Sequence, residues 1–310
     1  MFIVNLIILF VLFFALGVSA EFVVKNIKYL AGVLKIRLFA FGILLGVITT
    51  LPELSVGINA GLSGVSGLSV GNILGGVIVM LGLVLGCALI LNRSIDTNGD
   101  LKLLLPQVAI ILPPIFLGLD GKYGQIDGLI MIACYFWLIY YLYRTHPTLD
   151  KVGLVLIEKN KILISVFFAL LGTVGVLIIS HWIVGITLNL LKDWRVNEMI
   201  IGVLFFSIGT NLPEITIAFT AWRKKTSELS LSHLLSSAFT NILVLGILAL
   251  ISPIVVMTGF SFWVLSAFLV IILALFTLFY YTDNKLDFKE GLALLVCYLL
   301  FVVINVLVVF

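Results

Sequence analysis

Two glutamates lie where a carboxylate is costly. Glu53 and Glu214 fall inside long apolar runs, in the pentapeptides Thr49-Thr50-Leu51-Pro52-Glu53 and Thr210-Asn211-Leu212-Pro213-Glu214, which repeat at a spacing of 161 residues. On insertion scales an acidic side chain at a membrane helix centre costs roughly 2.5–3.5 kcal/mol, and such residues face a cavity, find a partner or mark an ion path. Two of them at matching positions read as one site assembled from two halves. Proline removes an amide donor and its ring collides with the preceding turn. Pro52 and Pro213 are therefore expected to break their helices beside the glutamates and to free main-chain carbonyls. Irregular backbone at membrane depth is tolerated only where protein or a water-filled cavity receives it, which is the setting of an ion site. A plain proline kink with a structural glutamate accounts for one copy better than for two in matching places.

The elements that hold these groups must span a membrane. The 310 residues are 62% hydrophobic and 11% charged, with mean hydropathy +1.30, against about 45–50% and 25% in soluble domains. Apolar stretches near the ~20-residue spanning length occur at 2–24, 38–61, 67–91, 103–119, 124–143, 162–190, 199–221, 230–256, 260–281 and 288–309. These runs are continuous rather than alternating, which excludes a closed barrel. The expected fold is an all-α integral membrane protein with ten transmembrane helices in two inverted-topology five-helix repeats.

Charge sets the orientation. Lys25, Lys28, Lys35, Arg37, Arg93, Lys102, Arg144, Lys151, Lys159, Lys161, Arg223, Lys224, Lys225, Lys285 and Lys289 all fall in loops on one side, and only Lys122, Lys192 and Arg195 on the other. Under the positive-inside rule both termini face outside, and the net charge of +3 reflects topology rather than a nucleic-acid surface. The clusters at Lys25–Arg37 and Arg223–Lys225 suit anionic lipid but are already explained as topology determinants. Val18-Ser19-Ala20 resembles a cleavage site, yet no basic residue precedes Lys25, so residues 2–24 are expected to stay as a span. Brevity and the lack of a regulatory insertion suit a prokaryotic inner membrane. The expected partners are cations and the lipid bilayer, with no obligate protein partner evident.

The polar stretch Arg144 to Lys161 divides the chain into a first unit at 1–145, a cytoplasmic linker at 146–161 and a second unit at 162–310. Because five is odd, the second half enters the membrane from the opposite side, and such inverted repeats place sites near the midplane at interrupted helices. The repeat extends beyond the pentapeptides. Gly46 to Thr50 lies against Ser207 to Asn211, and Ser69 to Gly86 against Ser230 to Gly246. Leu83-Val84-Leu85-Gly86 recurs as Leu243-Val244-Leu245-Gly246 at a spacing of 160, so a one-residue slip lies between the motif and the repeat end.

On these residues the chain resembles the calcium/cation antiporter superfamily, particularly prokaryotic sodium/calcium exchangers, over nearly its full length. The resemblance implies Glu53 and Glu214 as central calcium ligands, with carbonyl and hydroxyl oxygens of Thr49 and Thr210 around them. It also implies a sodium-binding role for Thr50 and Asn211 and nearby carbonyls from Gly46 and Ser207. Ser237 and Asn241 match the family's Ser-x-x-x-Asn. The first repeat departs from it, carrying Gly76 and Met80 at those positions, although Asn72 keeps the preceding Gly-Asn pair; Ser232-His233 replaces that pair in the second repeat.

Calcium takes about six to eight hard oxygens, and a thioether such as that of Met80 suits softer metals. Two carboxylates balance one divalent ion, two sodium ions or two protons. The function expected is secondary cation antiport, sodium/calcium exchange by alternating access, with both ions competing for the two glutamates. A calcium or other cation/proton exchanger is the first alternative. A non-transporting relative acting as a binding or interaction protein is the second, favoured by Gly76 and Met80.

Other candidates are weaker. His181 and His233 are read as satisfied histidines before proton relays. Cys87, Cys134 and Cys297 lack metal-ligand spacing and are read as small hydrophobes. Glycines 57, 61, 64, 67, 71 and 75 have no Lys-Ser/Thr and no flanking strand, which excludes a nucleotide loop and leaves close helix packing. No nucleophile has a base at a suggestive spacing, so no enzyme, and no cofactor beyond the transported ions, is expected.

Overall fold

In lipid a backbone amide must be satisfied within its own segment, and the apolar runs accordingly form helices. The computed structural model describes residues 2–33, 46–97, 99–145, 159–194, 197–223, 227–256, 258–282 and 285–309. In the first half are α1 (Phe2–Val33), α2 (Leu51–Leu62), α3 (Gly67–Ile78), α4 (Leu85–Asn92), α5 (Leu101–Ala109), α6 (Pro113–Leu117) and α7 (Gln125–Thr145). The second half holds α8 (Lys159–Trp194), α9 (Glu198–Ile201), α10 (Ser207–Gly209), α11 (Leu212–Arg223), α12 (Ser227–Ile251), α13 (Phe260–Tyr281) and α14 (Phe288–Val309). Among the described residues nine stretches are long and apolar enough to cross a bilayer, and they coincide with nine of the ten expected spans. The remaining one, 38–61, begins on residues outside those described; its later part is helical at 46–49 and through α2. The linker at 146–161 and the basic residues Lys35, Arg37, Lys224 and Lys225 also lie wholly or largely outside the described residues.

Helices that are apolar all round belong in a core. Every residue of α3 is buried, and in the hydrophobic windows of Gly67–Asn92 and Leu231–Ile251 the buried share is 83% and 78%. The window in α8 is only 22% buried. α1 and α8 pack along one another at the edge, forming with Val56, Ala60 and Phe206 a cluster separate from the main core. The two motif-bearing segments are thus held near the centre by α3 and α12.

Two π-helical segments interrupt this core, Val79–Val84 between α3 and α4, and Gly202–Phe206 between α9 and α10. A π-bulge takes one extra residue into a helix. That is the physical origin of the one-residue slip between repeats: the counterpart of Val79–Val84 lies in α12, which is continuous α-helix. Met80 sits inside the bulge, fully buried among aliphatic side chains.

Four short strands were not evident in the sequence. Ser94–Asp96 (β1) pairs antiparallel with Lys285–Asp287 (β4), and Lys122–Tyr123 (β2) with Ile254–Val255 (β3). Each ladder joins loops far apart in the chain and satisfies backbone groups at helix ends, where four donors or acceptors lack intrahelical partners. Tyr123 is fully buried and donates to the Pro114 carbonyl at 2.7 Å; burial, with Asp127 and Asp120 nearby, pushes its phenol above the ordinary value. A group with a raised folded pKa contributes stability below the unfolded value near 10 and loses it as pH rises beyond. Tyr123→Phe is expected to cost about 1 kcal/mol and to flatten the alkaline fall in melting temperature, read by differential scanning fluorimetry in detergent.

The glycine-rich stretch divides by role. Ideal Cβ atoms at Gly57, Gly67 and Gly71 would meet Leu248, Glu198 and the Met199 carbonyl within 2.4 Å, and one at Gly75 would meet Ser207 at 3.2 Å. These positions serve packing. Gly61 faces open space, and Gly64 takes φ +76° in the turn before α3, so the packing expectation does not extend to those two. All three cysteines are free thiols, Cys297 buried and the others partly so.

Candidate cation site

The prolines act as their chemistry demands. The backbone turns at Thr50 and at Thr210–Asn211, and α2 and α11 start immediately after, with Pro52 and Pro213 in their first turns. A proline gives no N–H to the carbonyl four residues back, which frees Ile48 and Gly209. The chain is bridged by Thr50 N to Gly46 O (3.3 Å) and Leu54 N to Thr50 O (3.1 Å), and in the second copy by Thr210 N to Phe206 O (2.9 Å) and Ile215 N to Asn211 O (3.0 Å). Glu53 and Glu214 therefore stand in the first turn of a new helix, where the dipole favours a negative charge.

The two carboxylates meet in the protein interior. Both residues are fully buried, and Glu214 lies within electrostatic reach of Glu53. The Thr210 hydroxyl is set against Glu53 and that of Thr49 against Glu214, in neither case with hydrogen-bond geometry. Among the described residues, all four carboxylate oxygens and Oδ1 of Asn241 are buried without a hydrogen-bond partner. No Lys or Arg is among the buried polar side chains of the described residues. An uncompensated buried ion costs several kcal/mol, so these acids require a cation or protons from outside the protein. Among the described residues no group of three or more His, Cys, Asp and Glu side chains gathers, and the donors present are hard oxygens, the set that calcium and sodium take.

Around the acids the structure gathers the other residues expected from the sequence. Thr49 donates to the Gly46 carbonyl at 3.1 Å and lies 3.3 Å from the Ser237 hydroxyl, joining the repeats. Thr50 donates to the Val47 carbonyl at 3.1 Å. In the second copy Thr210 donates to Asn72 Oδ1 at 2.9 Å, Asn211 to the Ser207 carbonyl at 2.8 Å, and the Ser207 hydroxyl to the Val203 carbonyl. Asn241 crosses to α3 through the Ile73 carbonyl at 3.3 Å. Met80 lies in the hydrophobic cluster and brings no oxygen.

Two polar features were not picked out from the sequence. Glu198, half-buried, accepts from Gly67 N at 2.8 Å and caps α3. Ser55 and Ser180 pair at 2.5 Å between α2 and α8, with Asn59 donating to Ser180 at 3.1 Å. His181 is exposed and joins this group through Asn59 Oδ1 at 3.1 Å, while His233 is buried.

Comparison with known proteins places nearly the whole chain in a family. The sodium/calcium exchanger protein family matches residues 4–144 and 164–307. An uncharacterized membrane protein of Methanocaldococcus jannaschii is 26% identical over 63% of the chain, and inner membrane protein YrbG of Escherichia coli 25% identical over 66%. The matched stretches span 64% and 66% of those two relatives, just under two thirds of their length. Sodium/calcium exchanger MaX1 of Methanosarcina acetivorans is 23% identical over 97% of this chain and 98% of its own. Among solved structures, an H+/Ca2+ exchanger CAX is similar with TM-score 0.75 at 16% identity, covering 97% of this chain and 86% of that one. The sodium-calcium exchanger NCX_Mj is similar with TM-score 0.65 at 23% identity, covering 97% and 98%. With both halves of the chain matched and the paired motifs brought together in a multi-pass membrane fold, this protein belongs to the sodium/calcium exchanger family.

Proposed function

We propose that the protein is a secondary active cation antiporter that exchanges calcium for sodium by alternating access, the two ions competing for Glu53 and Glu214. The observation that carries this reading is the pair of fully buried carboxylates with no hydrogen-bond partner and no buried Lys or Arg beside them among the described residues. Such a pair is stable only with exchangeable positive charge, which is the requirement for coupling. The ligand set proposed is Glu53 and Glu214 with Thr49, Thr210, Asn241 and Ser237, flanked by Thr50, Asn211, Gly46 and Ser207. Ten spans in two inverted halves, 1–145 and 162–310, with both termini outside a prokaryotic inner membrane, complete the reading. α1 and α8, packed on each other at the periphery, are the elements proposed to move past the central helices.

Two carboxylates balance two monovalent charges against one divalent ion, and the losses at Gly76 and Met80 remove oxygens that further sodium would need. The same acids accept protons, so cation/proton exchange is the second reading, favoured by the two missing oxygens. A binding protein without transport is the third. Proteoliposomes loaded with sodium, or separately with acid, and offered radiolabelled calcium distinguish them. The expected result is uptake driven by the sodium gradient with about two sodium ions per calcium, from the charge balance of two acids. Uptake following only the pH gradient establishes proton coupling, a stoichiometry of three sodium ions removes the two-charge account, and no uptake under either gradient removes antiport.

A further inference from the structure

We infer that Gly76 and Asn211 form a pair that closes to sodium the one position of the second-repeat flank where its counterpart, Ser237, presents a hydroxyl, so that Asn211 borders the site without binding the ion while Thr210 stays beside Glu53. This specificity assignment rests on the exchanger reading above. The internal repeat supplies the control: at the 161-residue spacing Gly46, Thr49 and Thr50 correspond to Ser207, Thr210 and Asn211, and Gly76 corresponds to Ser237.

In the first flank the groups that meet are oxygens. Thr49 Oγ1 stands 3.1 Å from the Gly46 carbonyl and 3.3 Å from Ser237 Oγ. In the second flank Gly76 contributes no side chain, and an ideal Cβ there would lie 2.8 Å from Asn211 Nδ2 and 3.4 Å from Asn241 Nδ2. Both amide orientations follow from their partners. Asn211 Nδ2 faces the Ser207 carbonyl at 2.8 Å and Asn241 Nδ2 the Ile73 carbonyl at 3.3 Å, and a carbonyl can only accept.

Two N–H donors thus converge where the other flank presents a hydroxyl. Hard cations take oxygen ligands, and amide hydrogens turn positive partial charge toward them. Asn211 also engages the Ser207 carbonyl, the counterpart of the Gly46 carbonyl, while the Thr210 hydroxyl lies between Asn72 Oδ1 at 2.9 Å and the Phe206 carbonyl at 3.0 Å.

A neighbouring level of the repeat shows that packing alone does not require this change. There Gly46 faces Ser236, with 2.8 Å from an ideal Cβ to the hydroxyl, and Ser207 faces Gly75 at 3.2 Å. The small residue has simply changed sides, and a glycine and a serine meet in both flanks. At the level of Gly76 and Asn211 the space is again filled, but amide nitrogen replaces hydroxyl oxygen.

The test compares wild type with Gly76→Ser, Asn211→Ser, the double variant and Asn211→Ala, purified in detergent and reconstituted. Two quantities are read: melting temperature as sodium chloride replaces choline chloride at constant ionic strength, and the sodium dependence of calcium uptake. Gly76→Ser alone is expected to lower the melting temperature, because its Cβ meets the Asn211 amide. Asn211→Ser, and more strongly the double variant, should steepen the sodium-dependent rise in melting temperature and raise the Hill coefficient for sodium by about one. Asn211→Ala, which removes the amide without supplying an oxygen, should produce neither effect. A folded double variant whose sodium response coincides with wild type in both readings overturns the inference, as does Gly76→Ser melting at the wild-type temperature. If the double variant does not fold, the response of Asn211→Ser decides in the same way. Wild-type liposomes that take up no calcium under either gradient overturn the exchanger reading instead, and the sodium-dependent melting then decides the flank separately.

Discussion

Glu53→Gln and Glu214→Gln are each expected to reduce calcium exchange at least about a hundredfold, equivalent to about 2.7 kcal/mol, while leaving the protein folded. Gln keeps the shape and one oxygen of Glu but removes the charge that balances a divalent ion. The stability readout makes this specific. Among the described residues neither carboxylate has a hydrogen-bond partner to lose or a buried Lys or Arg beside it. Neutralising one therefore removes a burial cost without breaking a contact, and in calcium-free buffer the variants should melt at or above the wild-type temperature. Calcium should raise the wild-type melting temperature by mass action and have little effect on either variant. A calcium-free melting temperature well below wild type would show that the carboxylates are structural, and undiminished exchange in either variant would remove it from the ion site.

Gly71→Ala and Gly202→Ala should abolish the native fold or destabilise it by more than about 3 kcal/mol, the upper end of ordinary overpacking. An ideal Cβ on Gly71 would lie 2.1 Å from the Met199 carbonyl oxygen, and one on Gly202 2.3 Å from that of Leu68 and 2.9 Å from Asn72 N. These are backbone atoms, which cannot rotate away as a side chain can. The contact is reciprocal: α3 and the π-helical segment at Gly202–Phe206 cross with a glycine on each side. This close approach brings Asn72 within reach of Thr210, so a shift here also separates the two halves of the site. Gly61→Ala is the control, since nothing lies within 4 Å of its position. Size-exclusion profiles and melting curves in detergent check the set. Wild-type behaviour from Gly71→Ala would mean that the two backbones do not cross this closely.

How much of this was legible beforehand differs from residue to residue. The paired Pro-Glu motifs pointed to a bipartite site because acids are costly in apolar surroundings, and the structure buries both acids and joins the repeats through Thr49 with Ser237 and Thr210 with Asn72. The one-residue slip was visible as a change of spacing, but its form as a π-bulge was not, because a helix accommodates an extra residue wherever neighbouring packing permits. The departures at Gly76 and Met80 were also plain. What the sequence did not show is that the Asn211 amide lies 2.8 Å from where a side chain at Gly76 would begin. The Ser55–Ser180 contact and both strand ladders join residues from widely separated parts of the chain, and neither hydropathy nor periodicity encodes such meetings.

By itself the sequence determined the membrane-spanning class, the positions of the apolar segments, the repeat and the two acids proposed as the ion ligands. Those features are local: lipid imposes length and apolarity on each segment, and proline and glutamate act on the backbone that carries them. Only the tertiary structure decided that both acids are buried with no hydrogen-bond partner among the described residues, that Met80 is fully buried within the hydrophobic cluster, and that amide nitrogen stands at Gly76 where the other flank has the Ser237 hydroxyl. Those features depend on how each helix is rotated against neighbours distant in sequence and on which carbonyl each amide finds, and close packing between helices sets both.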